Sequence, residues 1–176
     1  VLSLDDKEPL ILSRSDSYIG VMIDDLIIKG TDEPYRMFSS RGEYRLLLRE
    51  DNSEYRLLEK GYKAGLISEE RYKRFTEEKD TVKSEIERLE KTFISPVAHK
   101  ETAERLGITL EQGISALQLL RRQDISYDDV VKLTGAGVSG ESRMDKRIKH
   151  QIEVSVKYDG YIQKQQQDIA KQAHYD

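Results

Sequence analysis

From Ser15 onward the chain alternates apolar and polar positions mostly with a helical period. Ile19, Met22, Ile23, Leu26 and Ile27 recur at three- and four-residue steps, which predicts a helix over about 15–30. Ser15 or Ser17 can cap its start, and Gly30 ends it with Lys29 in the last turn. Residues 1–14 alternate only loosely and contain Pro9, so they read as an extended arm. The stripe on the first helix is broad and calls for a large neighbour. Ser40-Arg41-Gly42-Glu43 matches a capping box ahead of Leu46–Leu48 and predicts a short helix over 41–50. A strand over 43–49 is the alternative, because Tyr44, Leu46 and Leu48 also alternate.

The remaining pattern is helical. A short helix over 56–64 closes at Gly65, and Ser68 caps a long one running to about 92. The seam of that long helix is Tyr72, Phe75, Val82, Ile86, Leu89 and then Phe93, narrow and near-heptad, with Pro96 as its stop. A helix over 99–106 ends at Gly107, and Thr109 caps one carrying Ile114, Leu117, Leu119 and Leu120. Ser126 opens another that runs to Leu133, Gly135–Gly140 is a connector, and a last long helix covers 141–172. The seam of the last helix is Met144, Ile148, Ile152, Val156 (or Val154) and Ile169. The β-branched cluster Ile152, Val154 and Val156 leaves a strand over 151–157 open. The fold class is therefore mainly α, with several helices, two of them long, after a short arm and first helix.

Composition narrows the chemistry. There is no cysteine among the 176 residues, which removes disulfides, thiolate metal sites and a cysteine nucleophile. The net charge of −4 rules out a globally basic nucleic-acid binder, so any RNA contact must be local. With no signal peptide or membrane-length apolar run, a cytoplasmic location is the expectation. The chain opens at Val1 and closes inside an apparent helix, and both ends read as cuts in a longer protein. His99, His150 and His174 lack ligand spacing, and neither a G-x-G-x-x-G turn, a P-loop nor a G-x-S-x-G elbow occurs. We therefore expect no catalytic, cofactor-binding or metal-binding residue.

One local patch stands out. Residues 35–49 hold four arginines and two tyrosines: Tyr35, Arg36, Arg41, Tyr44, Arg45 and Arg49. Arginine offers a donor fork that fits phosphate and a plane that stacks on bases, and tyrosine adds a flat face. Those six are the candidate RNA contacts, although Tyr44 also suits a core position. The opposing reading is a solvated face with Glu–Arg pairs. Arg143, Lys146, Arg147 and Lys149 form a possible second basic patch, on the last helix. Asp24 and Asp25, adjacent on a helix, point about 100° apart and do not make an acid/base dyad. They read as solvated or paired with arginines.

The run Glu33–Asn52, together with Ser15–Leu26, resembles the MnmG/GidA family of flavin-dependent enzymes that modify the tRNA wobble uridine. The resemblance is collinear over about residues 9–170. The family more often has Ala where Gly42 stands and Thr where Ser39 stands. The resemblance implies an enzyme that uses FAD and NADH to place an aminomethyl or carboxymethylaminomethyl group on carbon 5 of that uridine. It also implies tRNA and the GTPase MnmE as partners, and a homodimer. It implies that residues 1–52 are the tail of a flavin domain and 53–176 a truncated C-terminal helical domain. The first helix would then pack on an α/β flavin domain not included here. This stretch itself is expected to bind no flavin and to serve as a tRNA-binding and partner-docking module. The alternative is a helical scaffold that docks the GTPase through the seams at 72–93 and 144–169 without touching tRNA.

Overall fold

The structure is a computed structural model, and it describes Leu2 and residues 6–172. Its helices are α1 (Tyr18–Ile28), α2 (Ser53–Lys63), α3 (Glu69–Lys91), α4 (Lys100–Leu106), α5 (Ala116–Leu120), α6 (Tyr127–Thr134) and α7 (Arg143–Gln172). A 3-10 turn covers Ser39–Arg41, and two short strands, β1 (Phe93–Ile94) and β2 (Ile114–Ser115), make an antiparallel pair. The mainly helical expectation holds. Two compact units divide the chain, one of residues 1–73 with 161–176 and one of residues 74–160.

In the first unit, Ser17 caps α1 by accepting the Gly20 N–H at 3.0 Å. A Cβ on Gly20 would meet the Ser13 carbonyl oxygen at 2.0 Å, so only glycine lets the arm lie this close to α1. Val21, Tyr44 and Leu48 are buried together, with Tyr18, Leu47 and Ile169 packed on them. The expected element at 41–50 is neither helix nor strand. After the 3-10 turn, the Tyr44 carbonyl accepts the N–H groups of Leu47 and Leu48, and the helical pattern stops at that one turn. Glu43, the acid of the apparent capping box, turns instead to Arg14. Gly42 is buried, and a Cβ there would lie 2.9 Å from the Tyr18 ring. Beyond this turn, Arg56 of α2 donates to the carbonyls of Asp16 and Arg49 and ties the connecting loops down.

In the second unit, Val82 and Leu89 of α3 and Ile148, Ile152 and Val156 of α7 are buried in one core with Leu119, Leu120, Ile125, Tyr127 and Val130. Each such side chain contributes about 1.5–3 kcal/mol by leaving water. The strand alternative over 151–157 is overturned. The β-branched side chains Ile152 and Val156 lie four apart on the buried face of α7, and packing outweighs their modest helix penalty. The helix expected from Thr109 starts later, at Ala116, with Ser115 as the hub of a capping box. Residues 114–115 pair with 93–94 instead, and Gly113 leaves room for the Phe93 ring, which a Cβ would meet at 2.2 Å. Ser126 caps α6 as expected, while Gly107 and Gly135 end α4 and α6 in the left-handed conformation.

Two buried carboxylates sit in the seam of α3. Phe75, Glu78, Val82, Glu85 and Leu89 are its buried residues, spaced three and four apart. Arg147 pairs with Glu78 at 2.9 Å. The Tyr127 hydroxyl donates to Glu85 at 2.5 Å, and Arg88 grips the same carboxylate at 2.7 and 2.8 Å. Arg88 also donates to the Ala136 carbonyl, and the Val138 N–H donates to the Tyr127 oxygen. The glycine-rich connector is thereby fastened to the core by side chains the apolar pattern does not reveal.

Candidate nucleic-acid interface

The arginine run folds around a cluster centred on Asp25. Asp25 faces inward from α1 with 3% of its side chain exposed. It accepts from Arg14 at 2.7 Å, Lys29 at 2.9 Å and the Tyr35 hydroxyl at 2.9 Å, and Arg41 stands 4.0 Å away. Arg14 sits in the turn before α1 and reaches five acceptors: Asp25, Asp24, Glu43 and the backbone carbonyls of Val21 and Arg41. The bonds from Lys29, Arg14 and Tyr35 hold the Asp25 carboxyl well below the usual carboxylate range. Arg14 lowers Glu43 likewise, and its own guanidinium is raised, chiefly by its bonds to Glu43. Burial, and then Asp25, push the Tyr35 phenol up. Asp24 and Asp25 thus converge on one guanidinium nitrogen, as partners of an arginine and not as an acid/base pair.

This cluster fixes the segment that follows α1. Arg41 lies over the Tyr35 ring, 4.4 Å from its centroid, and Arg36 lies over Phe38 at 5.3 Å. Both pairs line an open cleft of about 450 Å³, together with Lys29 and the turn 30–34. Arg45 is exposed and makes no hydrogen bond or ion pair among the described residues. Arg49 is paired with Asp51 at 2.9 Å and donates to the Leu46 carbonyl. Tyr44 is buried, 8% exposed, in the core beside Val21. Of the six residues singled out in the sequence, the structure brings Tyr35, Arg36 and Arg41 to one cleft, leaves Arg45 open to solvent, and commits Arg49 and Tyr44 to the fold.

The second basic patch is largely neutralised by neighbours. Arg147 meets Glu78, Lys149 meets Asp128 at 2.9 Å and Glu141 at 3.1 Å, and Lys146 meets Glu141 at 3.6 Å. Arg143 is exposed. Among the described residues no group of three or more His, Cys, Asp or Glu side chains can hold a metal ion, and no helix is long and apolar enough to cross a membrane. His99 bonds to the backbone of Ser95, and His174 lies outside the described residues. The residues that sequence reasoning missed are Arg14 and Phe38. The pattern gave one hint of the first: a lone arginine just ahead of a helix that carries two adjacent aspartates.

Comparison with known proteins places this geometry in a family. Residues 69–166 match the tRNA modifying enzyme MnmG/GidA C-terminal helical domain. The tRNA uridine 5-carboxymethylaminomethyl modification enzyme MnmG of Listeria welshimeri is 49% identical over 168 residues, which are 94% of this chain and 26% of that protein. The enzyme of the same name from Geobacillus kaustophilus is 46% identical over 167 residues. Among solved structures, Aquifex aeolicus GidA superposes with a TM-score of 0.77 at 34% identity, covering 97% of this chain and 26% of that one. The chain spans about a quarter of the length of these relatives.

Proposed function

Because this chain belongs to the MnmG/GidA family, we propose that it is the tRNA-gripping C-terminal part of an enzyme that adds a (carboxymethyl)aminomethyl group to carbon 5 of the tRNA wobble uridine. What carries the reading is the segment 35–45. It presents Arg36, Arg41 and Arg45 to solvent, two of them laid over aromatic rings, on a chain whose net charge is negative. Guanidinium groups so placed bind phosphate by paired donors, and the rings offer faces to unstacked bases. Arg14 and Asp25 act as positioning residues that hold this surface in shape before RNA arrives. On the same reading the whole protein works in the cytoplasm as a homodimer with the GTPase MnmE.

The residues of this chain do not fit a flavin. Dinucleotide pyrophosphate rests on a glycine turn from a parallel strand into a helix. This sequence has no such turn, and the described residues offer one antiparallel pair of two-residue strands. FAD and NADH belong to the other parts of the whole protein, and no chemical step is assigned to this one. A docking role for the seams of α3 and α7 has less support, since Val82, Leu89, Ile148, Ile152 and Val156 are buried in the chain's own core.

The test is binding of the purified chain to an unmodified tRNA bearing a wobble uridine, across a salt series, beside a variant with Arg36→Gln, Arg41→Gln and Arg45→Gln. Affinity should fall steeply with salt, and the slope should flatten in the variant by roughly one phosphate contact per arginine removed. Equal slopes in both proteins would place the grip elsewhere.

A further inference from the structure

The cleft beside Asp25 has a charge balance that phosphate binding alone does not explain. Its charged lining residues are Lys29, Arg36 and Arg41 on one side of the count and Asp25, Asp32 and Glu33 on the other, three against three. Phosphate collects where cations outnumber carboxylates. Here the excess positive charge lies outside the cleft, at exposed Arg45. The interior offers flat surfaces instead: the Arg41 guanidinium stacked on Tyr35, and Phe38, which is 48% exposed. Arg41 is itself held from behind, because Tyr35 and Arg14 are both bonded to Asp25 and Arg14 also binds the Arg41 carbonyl. A preset, neutral, stacking cleft with carboxylates in its lining suits an uncharged planar group that carries N–H donors.

We infer that the cleft lined by Tyr35, Arg36, Phe38 and Arg41 is a subsite for one unstacked nucleobase of a single-stranded RNA segment, read by stacking on the Arg41 plane. The inference rests on the RNA-contact reading above and makes it specific: phosphates are held by the charge of the exposed arginines, Arg45 among them, and a base enters the cleft. Asp32 and Glu33 are the acceptors for the N–H that every RNA base carries on its pairing edge. Stacking of a base on an aromatic or guanidinium face is sequence-tolerant, so this subsite grips without choosing sequence.

The experiment measures, by fluorescence anisotropy, binding of the full chain to two labelled strands: hexauridylate, and a six-residue strand of abasic ribose phosphates with the same charge. Uridines stack weakly on one another, so stacking gained on the protein shows fully. The base-bearing strand should bind about tenfold tighter than the abasic one. Arg41→Lys keeps the charge and removes the plane. It should bring that ratio close to one while abasic-strand affinity changes less than about twofold. Phe38→Leu, away from the Asp25 cluster, should lower the ratio part of the way, and far-ultraviolet circular dichroism checks that both variants are folded. Equal affinity of wild type for the two strands would overturn the inference and leave the phosphate grip standing. Failure of both strands at low salt would overturn it too, and tRNA failing alongside them would remove the RNA-contact reading itself.

Discussion

Replacing Tyr127 with Phe tests whether the buried polar network of the second unit holds the fold as its geometry indicates. The ring is 1% exposed, and its hydroxyl serves two partners: it donates to Glu85 at 2.5 Å and accepts from the Val138 N–H at 2.9 Å. Deleting one oxygen leaves the ring packing intact. The lost bond to a charged group costs about 1.5–3 kcal/mol. Stranding the half-buried Val138 N–H adds about 1 kcal/mol, near the low end for an unpaired donor. Glu85 keeps Arg88, so no unpaired charge is left behind. The sum is about 3 kcal/mol, or roughly 6–12 °C in Tm for a chain of this size. Urea unfolding followed by circular dichroism should show the midpoint falling at constant slope. Burial, and then Glu85, raise the Tyr127 phenol above its ordinary value. A raised folded pKa means that its contribution is complete below the unfolded value, about pH 10, and is lost as pH rises further. Wild type should therefore weaken above about pH 10 more than the Phe variant does. A loss under about 1 kcal/mol, with the same alkaline profile in both proteins, would refute the assignment of the connector's anchor to this hydroxyl.

The remaining predictions concern acid and a buried cation. Asp25, Glu43 and Asp129 all have carboxyls lowered by hydrogen-bonded partners, so their contribution is present above their unfolded values and lost as pH falls through the folded ones. The urea midpoint should stay level from about pH 7 to pH 5 and drop below about pH 4; a level midpoint down to pH 3 would contradict the pairing. Lys157 is 10% exposed and donates to the carbonyls of Arg122 at 2.9 Å and Ile125 at 2.6 Å. Lys157→Met should cost about 1–3 kcal/mol in chemical denaturation, whereas a neutral result would mean that water satisfies those carbonyls as well.

Local signals were legible wherever one residue decides the outcome. Ser17 and Ser126 cap their helices, and Gly107 and Gly135 stop theirs, because a cap or a left-handed turn depends on its own residue. Helical spacing made Phe75, Val82 and Leu89 of α3 and Ile148, Ile152 and Val156 of α7 readable as buried, whereas Phe93 and Met144, placed in the same seams, are exposed. Where a distant partner decides, the pattern misled. The capping box at Ser40–Glu43 is sound as local chemistry, but Glu43 is taken by an arginine 29 positions away. Ile114 reads as a helix position until β1 offers it a strand partner. Glu78 and Glu85 look like surface residues in any apolar/polar alphabet, and they are buried because Arg147, Arg88 and Tyr127 come to meet them. At the candidate site the same division holds. Residue type alone flagged Tyr35, Arg36 and Arg41. That Arg49 is spent on Asp51, and that Arg14 organises the cleft, depends on contacts no linear spacing encodes.

The central claim is that RNA is held by the segment after α1. Hydrogen–deuterium exchange of the chain with and without unmodified tRNA tests it most directly. The account predicts slowed exchange in peptides covering residues 31–45 and little change over 141–150, where Arg147 and Lys149 are already paired within the fold. Protection confined to 141–150, with 31–45 unchanged, would contradict it.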